Sequence, residues 1–244
     1  MGNKTGYNYE VSFEKVDFTL HATIESLCMD ILSVAGTDAR KNGISADMLM
    51  VQGRSWVLSR LAVEFDRIPE QFEKFDIHTW VNPHESRLLS TRNFELTDAE
   101  SKVFGRAVSQ WCVIDFNRRM PVMLGEVENL FDPNYYCTAP SPCEAPRKIR
   151  GIEPQMERKH EVRYSDIDFN RHVNTMRYIR MMLNTVPIEY LTENRPVRLD
   201  IHFAKECHLG ELLTIGYEQR GEVSMFEIRN SEGAIACTAS FEWQ

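Results

Sequence analysis

This chain of 244 residues has no uninterrupted apolar run long enough to cross a bilayer, and its opening stretch, MGNKTGYNYE, lacks the apolar core of a secretory signal. A cytoplasmic protein without a membrane partner is therefore expected. Gly2 would suit N-myristoylation, but position 6 is Gly and not the Ser or Thr of that motif. Six cysteines, at 28, 112, 137, 143, 207 and 237, show no Cys-x-x-Cys pairing, so neither a zinc site nor a disulfide framework is suggested. Reduced thiols and no cofactor are expected. Positive charge is scarce: 28 Lys and Arg stand against 36 Asp and Glu, a net charge of -8. That balance argues against a nucleic-acid partner. It leaves room for an acidic partner on a local basic patch, because screened fields follow the nearest charges and not the total. Arg118-Arg119, Arg147-Lys148 with Arg150, Arg158-Lys159, and Arg177 with Arg180 are candidates, each with solvated surface charge as its plainer reading.

What the chain does contain is itself, twice. At an offset of 151, Glu10, Val11, Asp17, Phe18 and His21 meet Glu161, Val162, Asp168, Phe169 and His172. At 138, Arg60-Leu61, Phe65, Glu73 and Ile77 meet Arg198-Leu199, Phe203, Glu211 and Ile215, and at 132 Trp111 meets Trp243. Matches in constant order with a small stepwise loss of offset are what a duplication followed by insertions leaves. A period this long means two domains and not a solenoid. With 43% hydrophobic and 26% charged residues, the composition is that of an ordinary globular protein.

Each copy reads alike. An extended segment (Tyr9 to Phe13; His160 to Tyr164) leads through Asp-Phe into a helix. In the first copy Ile24, Leu27, Ile31 and Ala35 have helical spacing, Thr23 is the expected N-cap and Gly36 the expected end. In the second, Val173, Met176, Ile179 and Leu183 form the stripe, Asn174 caps and Pro187 marks the stop. Strand-like runs follow at Phe75–Val81, Arg87–Leu96, Phe104–Phe116, Leu212–Tyr217, Met225–Ile228 and Ile235–Trp243, with alternation also at Leu61, Val63, Phe65 and at Leu199, Ile201, Phe203. A helix followed by antiparallel strands is buried most simply by wrapping the sheet around it. The expectation is an α+β pair: repeat one at 1–130, a proline-rich connection at 131–159 packed along the surface, and repeat two at 160–244.

The run Tyr164-Ser165-Asp166-Ile167-Asp168-Phe169-Asn170-Arg171-His172-Val173-Asn174, then Tyr178-Ile179 and Phe203-Ala204-Lys205-Glu206-Cys207, resembles the signature of the acyl-ACP thioesterases of plant plastids and bacteria. Trp56 to Arg60, Phe65-Asp66-Arg67-Ile68-Pro69 and Thr79-Trp80-Val81 also have counterparts there, so the resemblance spans nearly the whole chain. It implies a tandem hot-dog fold, hydrolysis of the thioester joining a fatty acyl chain to acyl carrier protein, and that carrier protein as partner. It implies a catalytic set of Asp168, Asn170, His172, Glu206 and Cys207, and a first repeat that shapes the acyl pocket, a role residues of the Ile24–Ala35 helix could fill. A homodimer is an open option.

The residues suit the task. Thioester hydrolysis needs an activated water, a home for the oxyanion and a proton for the leaving thiolate. Asn170 and His172 precede the second helix, whose N-terminal N–H groups are expected to receive the thioester oxygen. Asn170 would position water or carbonyl, Asp168 and His172 would orient it, and Glu206 or His172 would be the base. Asn170, Glu206 and Cys207 correspond to Thr19, Ile68 and Pro69, so only the second copy carries the full polar set. Structural readings stand beside these: Asp168 could simply satisfy backbone N–H groups, as Asp17 suggests. On a continuing strand Glu206 and Cys207 would face opposite sides, unless a bulge near Lys205 intervenes. Glu206 is then the functional member and Cys207 a packed thiol. His202, Glu206 and His208 would align on one strand face, without matching a zinc motif. An acyl-CoA thioesterase, another hot-dog enzyme such as a dehydratase, and a non-catalytic acyl-carrier binding module are the alternatives.

Overall fold

A computed structural model describes residues 4–83, 86–127 and 132–244; Gly2, and Phe131 at the expected start of the connection, lie outside them. The first repeat runs β1 (Thr5–Glu10), a 3-10 turn at Phe13–Lys15, α1 (Ile24–Lys41), α2 (Ala46–Met50), β2 (Arg54–Phe65), β3 (Lys74–Val81), β4 (Ser90–Thr97), β5 (Val103–Asp115) and a short β6 (Met120–Val122). The second runs β7 (Met156–Glu161), a 3-10 turn at Tyr164–Asp166, α3 (Thr175–Leu183), α4 (Ile188–Glu193), β8 (Pro196–Phe203), β9 (Leu212–Arg220), β10 (Val223–Arg229) and β11 (Ile235–Trp243). Thus β7 begins inside the stretch expected to be connection.

Both helices start where their caps predict. Thr23 Oγ1 accepts the Ser26 N–H at 3.1 Å, and Asn174 Oδ1 accepts the Met176 N–H at 2.9 Å. The expected end of α1 at Gly36 is wrong. The helix continues to Lys41, is capped at Asn42, and Gly43 turns the chain at φ +75°. A helical Gly loses roughly 1 kcal/mol against Ala, and burial of Val34, Ala35 and Asp38 on either side of it outweighs that. Pro187 does not simply stop α3 but begins α4.

The strands form one antiparallel sheet in the order β1-β3-β4-β5-β2-β8-β11-β10-β9-β7, with β6 paired to β5. Read outward from the β2–β8 junction, each half has the same order. The pairing at that junction is Arg60 with His202, Leu61 with Ile201, Ala62 with Asp200, Val63 with Leu199 and Glu64 with Arg198. Ala62 faces its own counterpart 138 positions on, so the pseudo-two-fold axis passes through this pair. One continuous core holds Leu27, Ile31, Leu61, Phe94, Met176, Ile179, Leu199, Ile201 and Phe241, drawn from both repeats. α1 and α3 meet on this face, where buried Glu25 accepts from Arg177 at 2.8 Å and Arg180 at 2.7 Å. This is the tandem hot-dog arrangement, and it removes Arg177 and Arg180 as a free basic patch.

On the opposite face the connection is pinned across the sheet. Trp80 Nε1 donates to Ala139 O at 3.2 Å, and Asp200 Oδ1 accepts the Arg147 N–H at 2.9 Å. Pro154 lies so close to Gly216 that a Cβ there would stand 3.0 Å from its ring. Arg198, only 3% exposed, is gripped bidentately by Asp200 at 2.7 and 2.9 Å and also donates to Glu64 across the junction. Removing one partner of such a buried cluster leaves a charge without compensation. Asp200→Ala should therefore lower unfolding free energy by about 3–5 kcal/mol, whereas Glu95→Ala, breaking the exposed pair with Lys4, should lower it by less than about 1 kcal/mol. Urea denaturation of both variants checks this; equal effects would contradict it.

Candidate active site

The two Asp-Phe-x-x-His turns are copies in space. Asp17 N–H donates to His21 O at 3.0 Å and Asp168 N–H to His172 O at 2.9 Å. Leu20 N–H reaches Asp17 O at 3.0 Å, and Arg171 N–H reaches Asp168 O at 3.0 Å. The carboxylates of Asp17 and Asp168 each accept the N–H two residues on, from Thr19 and Asn170, at 2.8 Å. Leu20 and Arg171 both sit in the left-handed region, at φ 62° and 64°. Side chains other than Gly adopt it at a cost of order 1 kcal/mol, and it recurs at turns that present a functional residue. Asp168 is therefore the residue that builds the turn, and it orients the backbone of Asn170.

The turns differ in what they leave free. In the first, Thr19 Oγ1 donates to Asp17 at 2.6 Å and lies 3.2 Å from His21 Nδ1, which also meets Thr19 O at 3.0 Å. In the second, the Asn170 side chain is exposed and makes no hydrogen bond to any described residue. His172 is half-buried, and its Nδ1 stands 3.4 Å from Glu206 Oε1. A carboxylate beside Nδ1 favours the proton on that nitrogen and leaves Nε2 as the available base. The His172 ring also packs edge to face with His208, centroids 4.9 Å apart.

Three expectations require correction. The helix N-terminus does not offer a set of free donors: Asn174 N–H goes to Asp166 O, Met176 N–H to the Asn174 side chain and Arg177 N–H to Asn174 O. The Asn170 amide remains as the donor at the turn. Glu206 and Cys207 are not on a strand, since β8 ends at Phe203, and Ala204 and Lys205 both donate to Ala236 O as the chain turns away. The strand alignment of His202, Glu206 and His208 therefore does not exist. The turn still separates the pair: Glu206 is exposed, while Cys207 is 0% exposed in the core. Burial raises the Cys207 thiol above its ordinary pKa, with the adjacent Tyr178 hydroxyl opposing and Glu211 adding to the rise. So the structure brings together Asp168, Asn170, His172 and Glu206, and sets Cys207 apart.

A positioning residue overlooked in the sequence is Asp166. It accepts from the Arg163 N–H at 2.9 Å and meets His160 Nε2 at 2.8 Å, while its carbonyl holds Asn174. Burial works against its ionised form, but the Arg163 N–H and His160 outweigh burial and hold its carboxyl below the usual range. Arg163 and Asp166 close a capping box in space, but with Arg at the N-cap the sequence carries no signature of it.

Beside the turn lies a cleft of about 460 Å³ lined by Ser33, Gly36, Thr37 and Arg40 of α1, residues 45–47 and Met50 around α2, and Phe169. The apolar stripe of α1, Ile24, Leu27 and Ile31, is buried in the core. Its small and polar face meets the second repeat's turn. The cleft thus lies at a junction between repeats.

Residues 2–129 match the family model of the acyl-ACP thioesterase N-terminal domain, and residues 150–244 that of the C-terminal domain. An oleoyl-acyl carrier protein thioesterase of Coriandrum sativum chloroplasts is 26% identical over 217 residues, covering 82% of this chain and 57% of that protein. An acyl-[acyl-carrier-protein] hydrolase of Cuphea viscosissima is 25% identical over 201 residues, covering 78% and 48%. The chain thus spans about half the length of the curated relatives it matches. A solved acyl-ACP thioesterase from Bacteroides thetaiotaomicron superposes with a TM-score of 0.90 at 31% identity, covering 99% of this chain and 98% of that one. A 12:0-ACP thioesterase from Umbellularia californica gives 0.83 at 16% identity, covering 99% and 97%, which bears on fold alone. With both domain models matched in order along a duplicated hot-dog frame, the chain belongs to the acyl-ACP thioesterase family.

Proposed function

We propose that the protein hydrolyses fatty acyl-ACP to free fatty acid and holo-ACP at the second repeat's turn. The observation that carries this reading is the difference between two otherwise superposable turns. One presents a free amide and an imidazole backed by a carboxylate, and the other closes its polar groups on itself.

In the proposed reaction His172 Nε2 takes a proton from water as the oxygen attacks the thioester carbon. Glu206 beside Nδ1 stabilises the imidazolium that forms. The Asn170 amide donates to the developing oxyanion, in a position worth roughly 3–4 kcal/mol where such donors have been removed. Collapse breaks the carbon–sulfur bond, and the departing pantetheine thiolate takes the proton from His172. The cleft falls within the roughly 300–1,000 Å³ range of small-ligand sites. Ser33, Thr37 and Arg40 on one side suit the amide-rich arm and its phosphate, and Met50 and Phe169 supply apolar contact for the chain. An acidic carrier protein would dock on exposed basic residues of the second repeat, Arg171 in the turn and Lys205 next to Glu206 among them.

The rival reading is covalent catalysis by a Cys207 thiolate activated by His172. Burial disfavours it: a thiol in the core with a raised pKa is neither ionised at neutral pH nor within reach of a substrate in the cleft.

Asn170→Ala should reduce thiol release from acyl-ACP by about 100- to 1,000-fold with the fold intact, while Thr19→Ala should leave it unchanged. Measured against the same acyl groups on coenzyme A, wild-type turnover should favour the carrier-protein form. Retained turnover in Asn170→Ala would remove this mechanism, and binding without thiol release in the wild type would favour a non-catalytic carrier-binding module. Cys207, in turn, should resist alkylation at pH 8 in native protein and react once urea unfolds it, as mass spectrometry of the labelled peptide would show; rapid native labelling would revive the covalent route.

A further inference from the structure

His208 belongs to no part of the mechanism above, yet four observations converge on it. Its ring meets His172 edge to face at 4.9 Å, and its backbone bridges His172 in antiparallel register. Its N–H donates to Glu211 Oε1 at 3.0 Å. The other oxygen of that carboxylate is buried with no hydrogen-bond partner among the described residues.

The first repeat provides the control. Counterparts 138 positions earlier are Glu70 for His208 and Glu73 for Glu211. Glu73 again accepts the Glu70 N–H, at 3.2 Å, but there Arg67 satisfies both of its oxygens, at 3.0 and 2.5 Å. Glu70 offers His21 no ring; its carboxylate stands 3.9 Å from His21 Nε2, and His21 turns Nδ1 back to Thr19. In the second repeat the carboxylate that meets the histidine comes from Glu206 instead and reaches Nδ1, while an imidazole takes the place of Glu70. A carboxylate at position 208 would compete for the Nε2 side of His172. A ring there fixes the plane of His172 without engaging that nitrogen.

We propose that His208 is a positioning residue for His172: clamped at its backbone by Glu211, its ring holds the His172 imidazole with Nδ1 toward Glu206 and Nε2 open to substrate. This rests on the hydrolase reading above for its consequence in turnover, but its geometric content can be read without substrate.

The test uses the full chain with His208→Ala and His208→Phe. Turnover is followed by thiol release from acyl-ACP, and the nitrogen shifts of His172 by long-range proton–nitrogen correlation in the unliganded protein. Loss of the ring should lower kcat by about 10- to 100-fold, the scale of a misplacement of order 1 Å, with KM for acyl-ACP little changed. The Nδ1-protonated form of His172 should dominate in the wild type and give way to a mixture in His208→Ala. His208→Phe, which keeps a ring and has no titratable group, should restore both the His172 signature and most of the turnover, with an unaltered pH profile. Wild-type turnover and an unchanged His172 signature in His208→Ala would overturn the proposal. So would a Phe variant as impaired as Ala, since the imidazole's own proton would then matter and not its ring. If the wild type released no thiol, the hydrolase reading would fall, and the His172 signature in the two variants would still decide the role of His208.

Discussion

The edge-to-edge pairing of β2 with β8 is the constraint on which the rest depends. Each repeat alone would end in an open strand edge with unpaired backbone groups, a template for wrong association. Pairing the two edges closes that problem, merges two small cores into one and sets the pseudo-two-fold axis at Ala62 and Asp200. It also brings α1 and α3 together, so that Glu25 of one repeat can take both Arg177 and Arg180 of the other. The cleft between the α1 surface and the Phe169 turn follows from the same junction.

Duplication then separates two demands that a single turn could not meet as freely. The backbone of the Asp-Phe-x-x-His turn, with its left-handed residue and its aspartate bonded to the N–H two residues on, is kept in both copies because the helix entry needs it. The copies differ at positions where the backbone tolerates change: Asn170 stands for Thr19, Glu206 for Ile68 and His208 for Glu70. None of these alters the backbone bonds that define the turn. The first repeat offers Ser33, Gly36, Thr37 and Arg40 as one wall of the cleft.

Much of this was legible in the sequence, and the misses have physical causes. Helix starts at Thr23 and Asn174 were legible because capping is local, as were the strands, whose alternation is a property of the pleat. The end of α1 was not, because Gly36 faces open space and the helix beyond it is held by tertiary burial of Asp38, which pairs with Arg92 at 2.8 Å. The junction was hidden too: Arg198 and Asp200 alternate with apolar residues as a solvated face would, yet both are buried beneath the crossing connection. At the site, the difference between Asn170 and Thr19 could be read from the repeat. The pairing of His172 with Glu206 could not, because it depends on the chain leaving β8 at Phe203. The free donors expected at the second helix were already denied by Asn174, whose capping role the sequence had revealed.

The most direct test of the division of labour between the repeats is a crystal structure of the protein with a non-hydrolysable acyl-pantetheine in which an amide replaces the thioester. The account requires the amide oxygen at about 2.7–3.1 Å from the Asn170 side-chain nitrogen, with the pantetheine arm along Ser33, Thr37 and Arg40. An analogue seated at the Asp17–His21 turn, or with its carbonyl carbon against Cys207, would contradict it.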